Sequence, residues 1–272
     1  MVPVLTTVFC VITLLVSLIL PILALVVYAL RHKKQGIWSA WCLGALGFVI
    51  PQMCIRSPIL AVLKKQNWFA LFAQNHLFAY IFCLALTAGL FELAGRFASA
   101  QLMRKNLTAA RGLAAGMGHG GIEAMAFIGT AYINNLVFIT LLNSGGLDAL
   151  VSQTAAAGGD PAPLLYYRDT LCNTASILFL LAGLERLLTM ISHAAMSMLV
   201  CYGVAHKKAL PCALVCLTIH TCLDMAAGIP MLAGTAMSQR AAYCIVYLIL
   251  VIVAAAAVYM IRDLRRRWDP AT

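Results

Sequence analysis

The sequence predicts an all-α fold: a polytopic transmembrane helical bundle of about seven spans, with the N-terminus outside and the C-terminus cytoplasmic. Three observations carry that expectation. Of 272 residues, 63% are hydrophobic and only 10% charged, against about 25% charged in soluble domains. Apolar runs of about twenty residues or more recur along the chain, each long enough to cross a bilayer core. Lys and Arg gather in short clusters at the ends of alternate runs, as in cytoplasmic loops. A soluble globular domain is excluded by composition, and so is a disordered chain, which requires low hydrophobicity. The net charge of +10 resides in those inter-span clusters and points to no nucleic acid; the expected partner is the lipid bilayer. The ten cysteines form no Cys-x-x-Cys pair, and most, such as Cys83, Cys201, Cys216 and Cys244, lie in apolar runs, where a free thiol serves as a small apolar side chain.

Taken in order, the run Pro3 to Leu30 has no basic residue before it and is too long for a signal-peptide core, so it reads as a first span entering from outside. Arg31, Lys33 and Lys34 follow on the cytoplasmic side. The second span, about Gly36 to Val62, contains Pro51 and Arg56 and is expected to be bent or partly solvated. Gln66 to Leu77 reads as interfacial, with Trp68 at the headgroups. The third span covers about Leu77 to Met103 and the fourth about Gly112 to Leu142. Asn143 to Asp169, with Gly145-Gly146, Gly158-Gly159, Pro161 and Pro163, reads as a loop. The fifth span runs from about Leu171 to Ala205, the sixth from about Leu210 to Leu232, and the seventh from about Ala241 to Ile261. Twelve Lys and Arg fall in the turns and tail assigned to the cytoplasm and five at or beyond the other face, in keeping with the positive-inside rule. No internal repeat is apparent. The expected organisation is a single integral membrane domain, 1–272.

The acids carry the functional information. Only nine are present. Asp148, Asp160, Asp169, Asp263 and Asp269 read as loop or tail residues, but Glu92, Glu123, Glu185 and Asp224 fall within spans, together with Arg96, Arg186, His119, His193 and His220. Each such group costs roughly 2.5–3.5 kcal/mol near mid-membrane unless paired or hydrated. Glu92 lies twelve residues before Arg104, Glu123 twelve after Arg111, His193 thirteen before His206 and His220 twelve after Lys208. At 1.5 Å per residue, four helices therefore place titratable groups at one depth, roughly 18–20 Å from their basic ends. Facing follows from spacing. Glu92 and Arg96, His119 and Glu123, and His220 and Asp224 are each four apart, hence on one helix face. Arg186 and His193 are seven apart and Asn134 is eleven from Glu123, again near one face. Carboxylates and imidazoles meeting at one point can bind a divalent metal or activate water directly. No His-Glu-x-x-His helix is present, so a metal site has to be assembled from several helices. Ser192 and Ser197 sit in no nucleophile motif.

At these residues the chain resembles a known family. Phe91-Glu92-Leu93-Ala94-Gly95-Arg96, then Gly116-Met117-Gly118-His119-Gly120-Gly121-Ile122-Glu123-Ala124, then Tyr132-Ile133-Asn134-Asn135, Glu185-Arg186 and His220-Thr221-Cys222-Leu223-Asp224 resemble the YhfC-type intramembrane metalloproteases. The motifs span about 91–224, within a family-like core of about 78–232. That family is similar to the wider group of CAAX-type prenyl proteases and bacteriocin-processing proteins. The resemblance implies peptide-bond hydrolysis in a membrane cavity, with Glu92, His119, His220 and Asp224 in the active site. One departure stands out: the wider group pairs two glutamates in its first motif, whereas here Leu93 follows Glu92. Glu123 is the available second carboxylate.

The expectation is thus a bacterial inner-membrane metallopeptidase acting on a membrane-associated peptide or protein. Glu92 or Glu123 is the general base. His119 and His220 hold a divalent metal, zinc being one candidate, or polarise water. Asp224 and Arg96 orient them, and Glu185, Arg186, His193 and Asn134 are possible additional members. Two other classes compete: an inactive scaffold that uses the same site for partner binding, and a proton- or cation-coupled transporter.

Overall fold

The computed structural model describes residues 1–234 and 236–268, and among these every regular element is a helix. Asp269 lies outside the described residues. Seven helices are long and apolar enough to cross a membrane: Val4–Arg31, Ile37–Leu63, Leu77–Asn106, Ala109–Asn143, Ser176–Ala205, Ala209–Ala227 and Gln239–Trp268. In chain order these are the first to seventh spans. Their burial pattern inverts that of a soluble protein. Large apolar side chains such as Leu210, Leu248 and Val137 point outward, while Glu92, Arg96, His119 and His220 are each no more than 3% exposed. Such an exterior is stable against lipid and not against water.

The expected segments and the observed ones differ mainly at their ends. Gln66 to Leu77 contains a short helix, Asn67–Asn75, with Trp68 exposed. The stretch 143–169 is not a loop but two helices, Gly146–Ala156 and Ala162–Asn173. Its glycines and prolines act at helix ends. Gly145 and Gly158 adopt positive φ of 77° and 75°, a conformation that costs glycine no steric strain. Pro161 and Pro163 occupy the cap and first turn of the second helix, where a missing N–H removes no bond. The fifth span accordingly begins at Ser176, and the sixth ends at Ala227, ahead of a separate turn, Ile229–Ala233.

Three spans contain a wider, π-type segment: Leu15–Ile19, Val49–Arg56 and Met125–Gly129. Pro51, where a bent or partly solvated helix is expected, lies in the second of these. A proline cannot donate to the carbonyl four residues earlier, and the helix is widened around it.

The chain forms two compact units, Met1–Ile22 with Ala124–Leu187, and Leu23–Glu123 with Leu188–Thr272. In the first unit, polar groups tie the helices together. The Thr13 hydroxyl and the Tyr132 phenol both donate to the Phe179 carbonyl, at 2.7 and 2.9 Å. The hydroxyls of Thr6 and Ser176 are 2.7 Å apart, and the Tyr167 phenol donates to Asn135 Oδ1. Around them pack Cys10, Ile139, Leu171 and Phe179. Tyr132→Phe is expected to lower thermal stability by only about 1 kcal/mol, measured by unfolding in detergent, because Thr13 still satisfies the carbonyl.

The second unit has a core of small and flexible residues, including Ala40, Ala100, Ala114, Met196, Met198 and Cys216. Its helices approach at backbone distance. A Cβ placed on Gly95 would lie 1.7 Å from the Gly47 carbonyl oxygen, and one on Gly118 would lie 2.0 Å from that of Trp41. The second span is thereby pressed against both the third and the fourth. Glycine permits this approach in membrane bundles, where packing rather than hydrophobic collapse holds helices together.

Candidate functional site

The second unit builds a polar cluster from four spans. Its hub is Glu92 Oε2, on the third. One turn later, Arg96 folds back along the same face and donates from Nη2 to that oxygen at 3.1 Å. The fourth span brings His119, whose Nε2 lies 3.0 Å from the same oxygen. The fifth brings His193 with Nδ1 at 3.7 Å, and the sixth brings His220 with Nδ1 at 3.6 Å. The common depth expected from helix rise thus corresponds to a common point.

Proton positions follow from the partners. Arg96 has only N–H groups to offer, so at 2.7 Å from its Nη2 the Nδ1 of His193 is an acceptor. His193 Nε2 then carries the proton and faces Glu123 Oε2 at 3.1 Å. Facing a carboxylate, His119 Nε2 also carries a proton, which leaves its Nδ1 lone pair buried without a hydrogen-bond partner among the described residues. His220 Nε2 is 3.4 Å from Asp224 Oδ2, and its Nδ1 is likewise buried without a hydrogen-bond partner. The Arg96 Nε donates to Ser197 Oγ at 3.2 Å. Phe48, fully buried, sets its ring edge-on to His119 with centroids 5.4 Å apart. Asp224 is the most accessible member, its side chain 40% exposed.

Glu92, His119, Glu123, His193 and His220 with Asp224 and Arg96 are therefore brought together in one unit. Glu185 and Arg186 belong to the other unit, where Arg186 Nη2 pairs with its neighbour's Oε1 at 2.5 Å. Asn134 is exposed and Asn135 buried instead. The π segment Met125–Gly129 inserts an extra residue into the helix, which shifts the buried position by one. Ser197 was open to the same reading as the others, four residues after His193 on one face, but it serves as an acceptor for Arg96 rather than as a nucleophile.

One set of donor atoms, from Glu92, His119 and His193, lies within 4.8 Å of one another. Two imidazoles and a carboxylate form a known donor set of catalytic zinc, and a His119 proton moved to the unpartnered Nδ1 would free Nε2, the nitrogen that faces Glu92, to ligate. The residues fit a divalent cation. His220 stands outside this closest set, its Nδ1 3.6 Å from Glu92 Oε2. Arg96 lies along the edge between Glu92 and His193, so a cation there shares those atoms with the guanidinium.

The sequence profile of the YhfC intramembrane metalloprotease family matches residues 16–253. The chain is also similar to the uncharacterized membrane protein YhfC of Bacillus subtilis (strain 168), with 29% identity over 196 residues, covering 72% of this chain and 74% of that protein. No solved structure matches it. A match over most of the chain, on a seven-helix multi-pass membrane protein with a buried Glu–His–His group, shows that the chain belongs to the YhfC intramembrane metalloprotease family.

Proposed function

We propose that the chain hydrolyses a peptide bond at the Glu92-centred cluster, with a membrane-associated peptide or protein as substrate. The observation that supports this most is the approach of His119, His193 and His220 from three spans to within 3.0–3.7 Å of one carboxylate oxygen. A bundle with no chemistry to perform has no cause to bear the cost of gathering those groups in lipid.

Glu92, His119 and His193 would hold the divalent cation, zinc being the candidate that best suits nitrogen and carboxylate donors. When bound, it supplies a Lewis acid that acidifies water and polarises the substrate carbonyl. Glu123 is the general base. It takes a proton from the attacking water as oxygen bonds to the carbonyl carbon, and passes that proton to the amide nitrogen as the C–N bond breaks. His193, between Glu123 and Arg96, fixes the carboxylate that does this. His220, backed by Asp224 at Nε2, would in its doubly protonated form donate from Nδ1 to the developing negative charge on the carbonyl oxygen. Arg96 pairs with Glu92 and orients His193.

The test is a peptidase assay on purified protein with metal analysis. The expected results are about one divalent ion per chain, cleavage lost on chelation and regained on metal return, and losses of about a hundredfold or more in His119→Ala and in His220→Ala. Full cleavage in both variants overturns the proposal. Arg96 already ties Glu92 to His193, which is the observation that favours an inactive partner-binding protein. That reading requires no metal, no cleavage and partner association that survives His119→Ala.

A further inference from the structure

A second cation lies near the cluster and has no part in the chemistry above. Arg56, on the π segment Val49–Arg56 of the second span, is 9% exposed. It is seven residues from the end of that span at Leu63, roughly 10 Å in from the Lys64–Lys65 side. Its Nη2 donates to the Leu84 carbonyl at 2.7 Å, and Nε and Nη2 each reach Thr87 Oγ1 at 3.3 Å. All of these acceptors are neutral. Among the described residues no acid lies within ion-pair distance of it; Asp224 and Glu92 act on its charge only through space. A full positive charge held in a spanning helix by neutral acceptors alone is expensive.

Two buried polar atoms on the elements that pack against the third span lack hydrogen-bond partners among the described residues. Gln52 is one π turn earlier on the same segment, hence on the same face as Arg56. It is 7% exposed, and its Oε1 has no hydrogen-bond partner among the described residues. That segment packs against the third span. On the sixth span, which also packs against the third, Thr221 Oγ1 is buried beside His220 and has no hydrogen-bond partner among the described residues. It lies 3.2 Å from where a Cβ on Gly89 would stand, so it faces the backbone between Thr87 and Glu92. The guanidinium Nη1, which makes none of these bonds, with an idle amide acceptor on the same helix face, matches the end groups of an extended peptide: a carboxylate for the guanidinium and an N–H for the amide oxygen.

We propose that Arg56, with Gln52, forms a carboxylate-binding subsite that takes an anionic group of the substrate peptide, either its free C-terminus or an acidic side chain, and so sets which bond meets the Glu92 cluster. Thr87 precedes Glu92 by five residues of helix, roughly 7.5 Å of rise. An extended peptide advances about 3.3–3.6 Å per residue, so the carboxylate sits about two residues from the scissile bond. The subsite rests on the peptidase reading for its purpose, but its binding is measurable without cleavage.

The experiment uses the full chain in nanodiscs of neutral phosphatidylcholine. The probes are three short apolar peptides carrying a photoreactive group: one with a free C-terminal carboxylate, its C-terminal amide, and an amide with one internal Asp. Labelling is titrated on wild type, Arg56→Lys, Arg56→Gln and Gln52→Glu. In wild type, one of the two acidic peptides binds at least about tenfold more tightly than the neutral amide, and which one does identifies the source of the carboxylate. Arg56→Gln removes the preference and Arg56→Lys keeps part of it. Gln52→Glu removes it without touching Arg56, because the new carboxylate pairs with the guanidinium from one turn away; it guards against an Arg56 variant that fails to fold. Equal binding of all three peptides by wild type overturns the proposal. So does a preference that survives Arg56→Gln, or one abolished when phosphatidylglycerol is added, which assigns Arg56 to a lipid phosphate. Absence of cleavage with the preference intact overturns the hydrolase reading and leaves the subsite standing.

Discussion

Replacing Glu92 with glutamine is expected to lower peptide hydrolysis by about a thousandfold and to destabilise the protein by about 3 kcal/mol. The two losses have different origins. Glutamine keeps the volume and part of the hydrogen bonding, but it cancels the charge that Arg96 and His119 meet at 3.1 and 3.0 Å. Arg96, 2% exposed, is then left as a buried cation whose remaining partners are His193 and Ser197. Removing one member of a buried pair is far costlier than removing both. The double variant Glu92→Gln with Arg96→Met is therefore expected to recover most of the stability and none of the activity. Thermal unfolding in detergent alongside the peptidase assay separates the two effects. A fully active Glu92→Gln protein would remove Glu92 from the centre of the mechanism.

What was legible in the sequence followed from rules with a fixed period. Apolar length located the spans because a bilayer core has one thickness. The four-residue spacing of Glu92 with Arg96, and of His220 with Asp224, showed their shared faces, and both pairs do meet. Common depth was legible because helix rise does not depend on side chains. What failed involved breaks in those periods. Glycines and prolines look alike in sequence whether they fill a loop or punctuate helices, so the two helices between the fourth and fifth spans were missed. The extra residue at Met125–Gly129 has no local signature, and it moved burial from Asn134 to Asn135. Partner choice was the least legible. His193 stood out by its depth and by its seven-residue spacing from Arg186, yet its partners Arg96 and Glu123 are 97 and 70 residues distant. Which imidazole lies nearest the other donors depends on how separate helices pack, so the sequence favoured His220 beside His119 where the closest set holds His193.

That dependence on packing makes the glycines of the second unit as consequential as the charged residues. Gly95→Ala is expected to cost about 3 kcal/mol and roughly a hundredfold in hydrolysis, although alanine favours a helix over glycine by about 1 kcal/mol. The added carbon would stand 1.7 Å from the Gly47 oxygen and 2.7 Å from its carbonyl carbon. Backbone cannot rotate aside as a side chain can, so the second and third spans have to separate. Gly95 immediately precedes Arg96 and follows Glu92 by three residues, so the hub moves with its helix. Phe48, which follows Gly47, draws away from the His119 ring it touches edge-on. Gly118→Ala acts in the same way from the fourth span, where the added carbon meets the Trp41 carbonyl oxygen at 2.0 Å directly beside His119. An exposed glycine with open space around it, Gly158, serves as the control for composition; replaced by Asn, which tolerates positive φ, it should leave hydrolysis unchanged. Unfolding midpoints and cleavage rates measured on the three variants distinguish the cases. If Gly95→Ala and Gly118→Ala both hydrolyse as the wild type does, the geometry of the cluster does not depend on these crossings, and backbone contact has no part in positioning it.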